Sequence, residues 1–199
     1  SNIMVNQPAV ELGKALVNAS DFDKVFICNS GTEAVEAGLK LARRYGLVNF
    51  DAHKHKIVSF KNSFHGRTLF AVSTGGQSKY SADFAPLPAG IIHGEFNDLT
   101  SAEELIDENT AVVIVEVIQA EGGIIKASPE FLLKLRELCD KHQAILMFDE
   151  VQTGIGRTGK LFAYQHYPIQ PDLISIAKAL GGGFPIGAIL VKEKFSSGF

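Results

Sequence analysis

The chain has 199 residues, of which 46% are hydrophobic and 21% charged, and its formal net charge is −3. This composition indicates a globular domain with a substantial apolar core, and it offers no basic surface for nucleic acid. No apolar run approaches the ~20 residues of a membrane-spanning helix, and the first residues lack a signal-peptide pattern. We therefore expect a cytoplasmic protein that binds neither nucleic acid nor membranes.

Helix-like and strand-like segments alternate along the chain, without an internal repeat or an interdomain linker. In chain order, the patterns predict a helix at 8–19, a strand at 24–28, a helix from about 30 to 45, a strand at 56–60, a helix-like stretch after 67, a loop at 75–90, strands at 91–95 and 111–118, a helix from 128, and strands at 144–148, 173–176 and 187–191. This alternation predicts an α/β fold with a mainly parallel sheet covered by helices on both faces.

Candidate ligand-binding residues recur at or just after the predicted strand ends, namely Gly31, Phe64, Glu116, Asp149 and Lys178. In parallel α/β sheets, ligands collect beyond the carboxyl ends of the strands, so these residues are expected to converge on one crevice. Each residue taken alone has an ordinary structural explanation, and their shared position is the stronger signal.

Lys178 and Asp149 indicate the chemistry of this crevice. Each follows an apolar strand, and Lys178 precedes three consecutive glycines that leave room for a ligand. A lysine at that position can form a Schiff base with an aldehyde cofactor, and an aspartate can keep a pyridine nitrogen protonated. We expect Lys178 to be partly buried, because burial lowers the pKa of an amine and makes it a usable nucleophile. The pair predicts pyridoxal phosphate (PLP) as the cofactor.

Further residues match other parts of such a cofactor and its substrate. Gly31 and Thr32 open a helix, whose first amides form a natural phosphate site, although a plain helix cap is the alternative. Phe64 could stack on a flat ring, or it could be a core side chain. Arg67 could bind a substrate carboxylate in bidentate fashion, or it could be solvated. Gln152 could donate to a ring hydroxyl oxygen.

Two carboxylates, Glu116 and Glu121, lie five residues apart at the end of the most apolar predicted strand, which is expected to be central. A surface carboxylate in a turn is the alternative explanation for Glu121. The stretch from Asp149 to Lys160 also resembles a nucleotide-binding arrangement, because an Asp-Glu pair precedes a glycine-rich loop. Leu161 argues against it, since a Ser or Thr should hold magnesium at that position. The cysteines and histidines have no metal-binding spacing, so no metal site is predicted.

Taken together, these motifs resemble those of the class III aminotransferases, with the acetylornithine and succinylornithine aminotransferases as the most similar branch. The resemblance covers essentially the whole chain and rests on residues 30–34, 64–68, 116–123, 149–154, 156–159 and 177–183. It implies the large domain of the type I PLP-dependent transferase fold and a homodimer with a shared active site. Because family members are about twice as long, we expect residues 1–199 to be the PLP-binding large domain, without the amino-terminal segment and the carboxyl-terminal small domain.

The resemblance also implies roles for the matching residues. The catalytic residues would be Lys178, which would bind PLP covalently and transfer a proton, and Asp149, which would pair with the pyridine nitrogen. The residues that contact the cofactor would also include Gly31 and Thr32 at the phosphate, Phe64 on the ring, Gln152 at the ring oxygen, and Glu150 and Val151. The substrate residues would be Arg67, which would bind a carboxylate, Glu121, which would pair with a second arginine, and Glu116, which would act more indirectly.

The implied reaction moves the terminal amino group of N-acetylornithine to 2-oxoglutarate. Its products are N-acetylglutamate semialdehyde and glutamate, as in arginine biosynthesis, and its substrates are small amino acids and 2-oxo acids. Succinylornithine, ornithine and 4-aminobutyrate are the alternative amino donors. A different alternative is a PLP-binding fragment that has no activity of its own.

Overall fold

The computed structural model describes residues 4–198, which form an α/β fold. The helices are α1 (Gln7–Asn18), α2 (Gly31–Asn49), α3 (Leu69–Thr74), α4 (Leu99–Leu105) and α5 (Pro129–His142). The strands are β1 (Lys24–Cys28), β2 (Lys56–Phe60), β3 (Ile91–Gly94), β4 (Thr110–Val115), β5 (Ile118–Gln119), β6 (Ile125–Lys126), β7 (Ile145–Asp149), β8 (Leu173–Ile176) and β9 (Gly187–Val191). Short 3₁₀ helices cover Ser78–Tyr80, Ala82–Phe84, Ala163–His166, Lys178–Gly181 and Glu193–Gly198.

A seven-stranded sheet in the order β1-β9-β8-β7-β4-β2-β3 forms the centre of the fold. The pairs within β3, β2, β4, β7 and β8 are parallel, whereas β9 runs antiparallel to both β8 and β1. The short strands β5 and β6 form a separate antiparallel hairpin. The predicted mainly parallel sheet is confirmed, and β1 and the parallel strands bring their carboxyl ends to one edge.

Alternating side chains of the inner strands pack against helices on opposite faces of the sheet. Along β4, Val112 and Ile114 join a core cluster with residues of α2 and α3, while Val113 and Val115 join a second cluster with residues of α5. All of β4 is buried, as expected for a parallel strand that is covered on both sides. The prediction that this strand lies inside the sheet is confirmed.

The lengths of several elements differ from the sequence-based expectation. Helix α2 continues to Asn49 instead of ending near residue 45, because it passes through Gly46, whose carbonyl accepts from Phe50 N at 3.0 Å. Strand β4 ends at Val115 rather than at residue 118. Helix α4 and the hairpin of β5 and β6 have no predicted counterpart, because segments this short carry little periodic signal.

Two general properties bear on the possible function of the described residues. None of the helices within residues 4–198 is long and apolar enough to cross a membrane. The same residues contain no group of three or more His, Cys, Asp or Glu side chains placed to hold a metal ion.

Candidate active site

A cavity of about 550 Å³ lies at the edge of the sheet where the parallel strands end. Its lining includes every predicted site residue except Glu150, namely Gly31, Thr32, Phe64, Arg67, Glu116, Glu121, Asp149, Val151, Gln152 and Lys178. The fold therefore brings together residues that lie far apart in the sequence, on the side of the sheet where the strand ends predicted a crevice.

Several residues in and beside this cavity form two groups that differ in exposure. The first group, the floor, is buried and consists of His65, Glu116, Asp149 and Ser175. The second group, the rim, is exposed and consists of Arg67, Glu121, Gln152, Lys178 and Phe184. Charges on the floor are shielded from water, so their mutual interactions are stronger than those of the rim.

Asp149 ends β7 and is fixed on the floor by three hydrogen bonds. Ser175 Oγ and Val151 N each donate to Oδ1 at 3.1 Å, and His65 Nδ1 donates to Oδ2 at 2.8 Å. The parallel pairing of β7 with β8 places Ser175 beside Asp149. A buried carboxylate is costly without such partners, so this arrangement holds the Asp149 carboxylate in one orientation.

His65 is a floor residue whose role was not predicted from the sequence. Its side chain is fully buried, and its Nε2 atom has no hydrogen-bond partner among residues 4–198. Burial alone would lower the pKa of His65, but the hydrogen bond to Asp149 and the charges of Asp149 and Glu116 raise it above its ordinary value. When His65 is protonated, it forms an ion pair with Asp149. The sequence signal was weak, because the two residues are 84 positions apart.

Glu116 follows β4 and, from the floor of the cavity, contacts the backbone of the segment that carries Phe64. Its Oε2 atom accepts a hydrogen bond from the backbone nitrogen of Phe64 at 3.0 Å. Burial raises the pKa of Glu116 to about 7, and the charge of Asp149 acts in the same direction while that of His65 opposes it. The contact fixes the segment that carries Phe64, which is an indirect contribution to the site.

The start of α2 contributes the backbone amides of Gly31 and Thr32. Ser30 is the N-cap, and the first main-chain bond of the helix runs from Ala34 N to Ser30 O at 3.1 Å. The amides of Gly31 and Thr32 precede that bond, so they lack partners within the helix and suit an anion. A side chain at Gly31 would not fit, because its Cβ would lie 2.7 Å from Val151 Cγ1. Ser30 thus acts as the cap, and the two following residues line the cavity.

Lys178 lies on the rim, two residues after β8 ends at Ile176. Its Nζ atom donates to Gln152 Oε1, and its backbone has a φ of 43°, a value that residues other than glycine rarely adopt. The expectation that Lys178 is partly buried is wrong, because its side chain is exposed. The nearby glycine cluster also borders open space, since a Cβ at Gly182 or Gly183 would meet nothing within 4 Å.

Glu150 departs from its expected role as a cofactor contact. Its buried carboxylate accepts hydrogen bonds from Ala163 N at 2.6 Å and Tyr164 N at 2.8 Å. Burial raises the pKa of Glu150 to about 7, although these two hydrogen bonds act to lower it. Successive side chains at a strand end point to opposite sides, so Glu150 turns away from the cavity that Asp149 lines. Glu150 instead anchors the 3₁₀ helix Ala163–His166.

Two charged residues of the rim are open to a ligand. Glu121 lies in the turn between β5 and β6, and Arg67 precedes α3. Within the described part of the chain, neither side chain forms an ion pair. The opposite charges of Glu121 and Arg67 give the rim separate places for a cationic and an anionic group.

The site and the fold agree with the result of a family comparison. The family model "Aminotransferase class-III" matches residues 1–199. The chain therefore belongs to the class III aminotransferases, and the family predicted from the motifs is confirmed.

Individual relatives give a finer comparison. The chain is 59% identical over 202 residues to a succinylornithine transaminase of Yersinia pseudotuberculosis, a match that covers 98% of this chain and 49% of that protein. The N-acetylornithine aminotransferase of Stenotrophomonas maltophilia superposes with a TM-score of 0.83 at 39% identity, over 98% of this chain and 49% of that one. An ornithine aminotransferase of Toxoplasma gondii, reported with partial occupancy of PLP at its active site, superposes with a TM-score of 0.92 at 30% identity. This match covers 98% of this chain and 47% of that one. The chain spans about half the length of the curated relatives it matches.

Proposed function

We propose that this chain is the PLP-binding large domain of an aminotransferase that moves the terminal amino group of an acylated ornithine to 2-oxoglutarate. The observation that carries this proposal is the convergence of Lys178, Asp149, Phe64 and the start of α2 on one cavity. An amine, a buried carboxylate, an aromatic ring and unpaired helix amides are the groups that a phosphorylated pyridine aldehyde requires.

The residues present fit PLP group by group. Lys178 would bind the aldehyde carbon, Asp149 would pair with the ring nitrogen, Phe64 would contact the ring face, and Gly31 and Thr32 would bind the phosphate. When bound, PLP supplies a cationic ring that stabilises negative charge on the reacting substrate carbon.

The residues of the chain itself would supply orientation and proton transfer. His65 and Ser175 hold the carboxylate of Asp149 in place, so its negative charge stays aimed at the cavity. Lys178 Nζ would accept a proton from the substrate carbon that bears the amino group and would deliver it to the cofactor carbon that takes up this group, which is the task of a general acid and base near its substrate. Arg67 would bind the substrate carboxylate.

Among possible amino donors, we propose succinylornithine first. The support is the 59% identity to a succinylornithine transaminase, compared with 39% to an N-acetylornithine aminotransferase. N-acetylornithine, the donor that the sequence motifs implied, is the second candidate, and it would yield N-acetylglutamate semialdehyde and glutamate. Both reactions use the same cavity and differ in the acyl group alone.

A steady-state assay tests the reaction and ranks the two donors. The complete protein, loaded with PLP, is mixed with 2-oxoglutarate and either donor, and the glutamate formed is measured. We expect turnover with a higher kcat/KM for succinylornithine, no turnover for Lys178→Ala, and unchanged turnover for Lys160→Ala, an exposed lysine outside the cavity. A higher kcat/KM for N-acetylornithine would favour the second candidate, and no glutamate from either donor would contradict the function.

We further propose that the protein acts as a cytoplasmic homodimer whose subunits share the active site. The support from the rim is Phe184, a large apolar side chain that is 71% exposed beside the cavity and would be covered by a second subunit. Sedimentation of the PLP-loaded protein tests this proposal. A dimer with activity that falls on dilution is expected, and a fully active monomer would contradict it.

A further inference from the structure

Aromatic rings hold the guanidinium group of Arg67 on the rim of the cavity. Its Cζ atom lies 5.1 Å from the ring centroid of Tyr80 and 5.8 Å from that of Phe64. Within residues 4–198, the guanidinium makes no hydrogen bond and no ion pair with another side chain or backbone group. A ring face attracts the guanidinium cation without accepting its N–H groups in hydrogen bonds. The N–H donors of Arg67 therefore stay free for an anion.

Tyr80 also contacts the other aromatic residue of this group. Its ring meets that of Phe64 edge to face, with centroids 5.8 Å apart and an interplanar angle of 82°. Tyr80 does not line the cavity itself, but it touches two residues that do. Tyr80 therefore contacts both Phe64 and Arg67, and its contact with Arg67 is the one between a ring face and a cation.

Hydrogen bonds fix Tyr80 relative to the strand end that leads to Phe64. The buried Gln77 side chain donates from Nε2 to Asn62 O at 3.3 Å and to Ser63 O at 3.2 Å, and Gly76 N donates to Ser63 Oγ at 3.1 Å. Tyr80 N in turn donates to Gln77 O at 3.0 Å. The short 3₁₀ helix Ser78–Tyr80 is thus tied to the segment just before Phe64, and these bonds hold the backbone that carries the Tyr80 ring.

We propose that Tyr80 is a positioning residue that aims Arg67 at the substrate carboxylate. This inference rests on the proposed function, because it requires Arg67 to bind that carboxylate. Lys79 also lies over the Tyr80 ring, with Nζ 4.8 Å from the centroid, but Lys79 does not line the cavity. Arg67 is therefore the cation through which Tyr80 acts on the substrate.

Substitution of Tyr80 tests the inference through binding of a dicarboxylate that does not react. The PLP-loaded complete protein is titrated with glutarate, and the change in cofactor absorbance gives the dissociation constant. For Tyr80→Leu, we expect glutarate to bind about fivefold more weakly and the KM for 2-oxoglutarate to rise about fivefold, with kcat and PLP retention within about twofold of wild type. Tyr80→Phe keeps the ring and should behave as wild type.

A double-mutant cycle separates positioning of Arg67 from general packing. Arg67→Ala should weaken glutarate binding, and adding Tyr80→Leu should cause no further loss, because Tyr80 acts through Arg67. Phe84→Leu is the control, since Phe84 is an exposed aromatic in the neighbouring 3₁₀ helix, outside the cavity. Additive losses, or a parallel fall in kcat and PLP retention for Tyr80→Leu, would overturn the inference.

The outcome for Arg67 itself separates this inference from the proposed function. If Arg67→Ala binds glutarate as wild type does, the positioning role of Tyr80 is refuted, while glutamate formation that depends on Lys178 would leave the aminotransferase function standing. If the wild-type protein neither retains PLP nor forms glutamate, both proposals fail together.

Discussion

The floor and the rim of the cavity hold their charged groups in different ways. On the floor, buried groups contact one another directly, as in the 2.8 Å hydrogen bond between His65 Nδ1 and Asp149 Oδ2. On the rim, the exposed Arg67 rests against ring faces and Lys178 contacts one side-chain amide. Because water weakens interactions between exposed charges, substitutions on the floor should have larger effects than most substitutions on the rim.

Among substitutions on the floor, the largest effect is expected for Asp149→Asn. The variant keeps the shape of the side chain but removes the negative charge of the floor. We expect kcat of the complete protein to fall about 1000-fold, a loss typical of removing a key electrostatic group from an active site. Steady-state glutamate formation measures it, and Asp83→Asn, an exposed aspartate outside the cavity, is the control. A loss of less than about tenfold would mean that the Asp149 charge is not essential.

His65→Ala should lower the stability of the floor. It removes the side chain that hydrogen-bonds Asp149 Oδ2 and leaves the buried carboxylate with one partner fewer, and breaking a buried pair of this kind costs about 3 kcal/mol in the free energy of unfolding. His65→Asn keeps a donor near Asp149 and should recover part of this loss. Urea unfolding of the cofactor-free protein measures both variants against His53→Ala, an exposed histidine. A change of less than about 1 kcal/mol would show that the pair contributes little.

Glu116 should make stability depend on pH. Its pKa is raised from 4.5 to about 7 in the folded protein, so the folded state binds more protons between these values. The stabilisation from protonated Glu116 is therefore complete below about pH 4.5 and is lost as the pH rises through about 7. Glu116→Gln keeps an acceptor for Phe64 N and does not titrate, so it should gain about 2 kcal/mol relative to wild type across this range.

Glu121→Gln is the matched control for Glu116→Gln, because it makes the same substitution at an exposed residue of the rim. Its unfolding free energy should follow that of wild type at each pH. The measurement is urea unfolding of the cofactor-free protein between about pH 5 and pH 8. If the unfolding free energies of wild type and Glu116→Gln change with pH in parallel, the raised pKa of Glu116 is ruled out.

The smallest of these effects is expected for Gln152→Ala on the rim. The variant removes the amide oxygen that Lys178 Nζ contacts, in a part of the cavity that is open to solvent. We expect kcat to fall about fivefold and the free energy of unfolding to stay within about 0.5 kcal/mol of wild type. Gln7→Ala on α1 is an exposed control. A loss of stability as large as that of His65→Ala would contradict the distinction between floor and rim.

The features that the sequence predicted well have local causes. The bounds of β1, β2, β8 and β9 match the predicted strands, because each combines an apolar run with turn or capping residues at its ends. Asp149 and Lys178 both line the cavity, and their sequence signal is local too, since each combines a strand end with a side chain of distinct chemistry. The convergence of these ends followed from the parallel sheet.

The features that the sequence did not predict depend on contacts between distant segments. The pairing of His65 with Asp149 and the contact of Tyr80 with Arg67 arise when separate strand ends and loops pack together. Glu150 does not line the cavity although Asp149 and Val151 do, because alternation at a strand end turns neighbouring side chains apart.

The most direct test of the central claim is to identify the residue that binds PLP. The PLP-loaded complete protein is reduced with borohydride and digested, and the peptides are analysed by mass spectrometry. The account predicts one modified peptide, with the reduced cofactor on Lys178, and none in Lys178→Ala. A cofactor attached to another lysine, or retained covalently by Lys178→Ala, would contradict it.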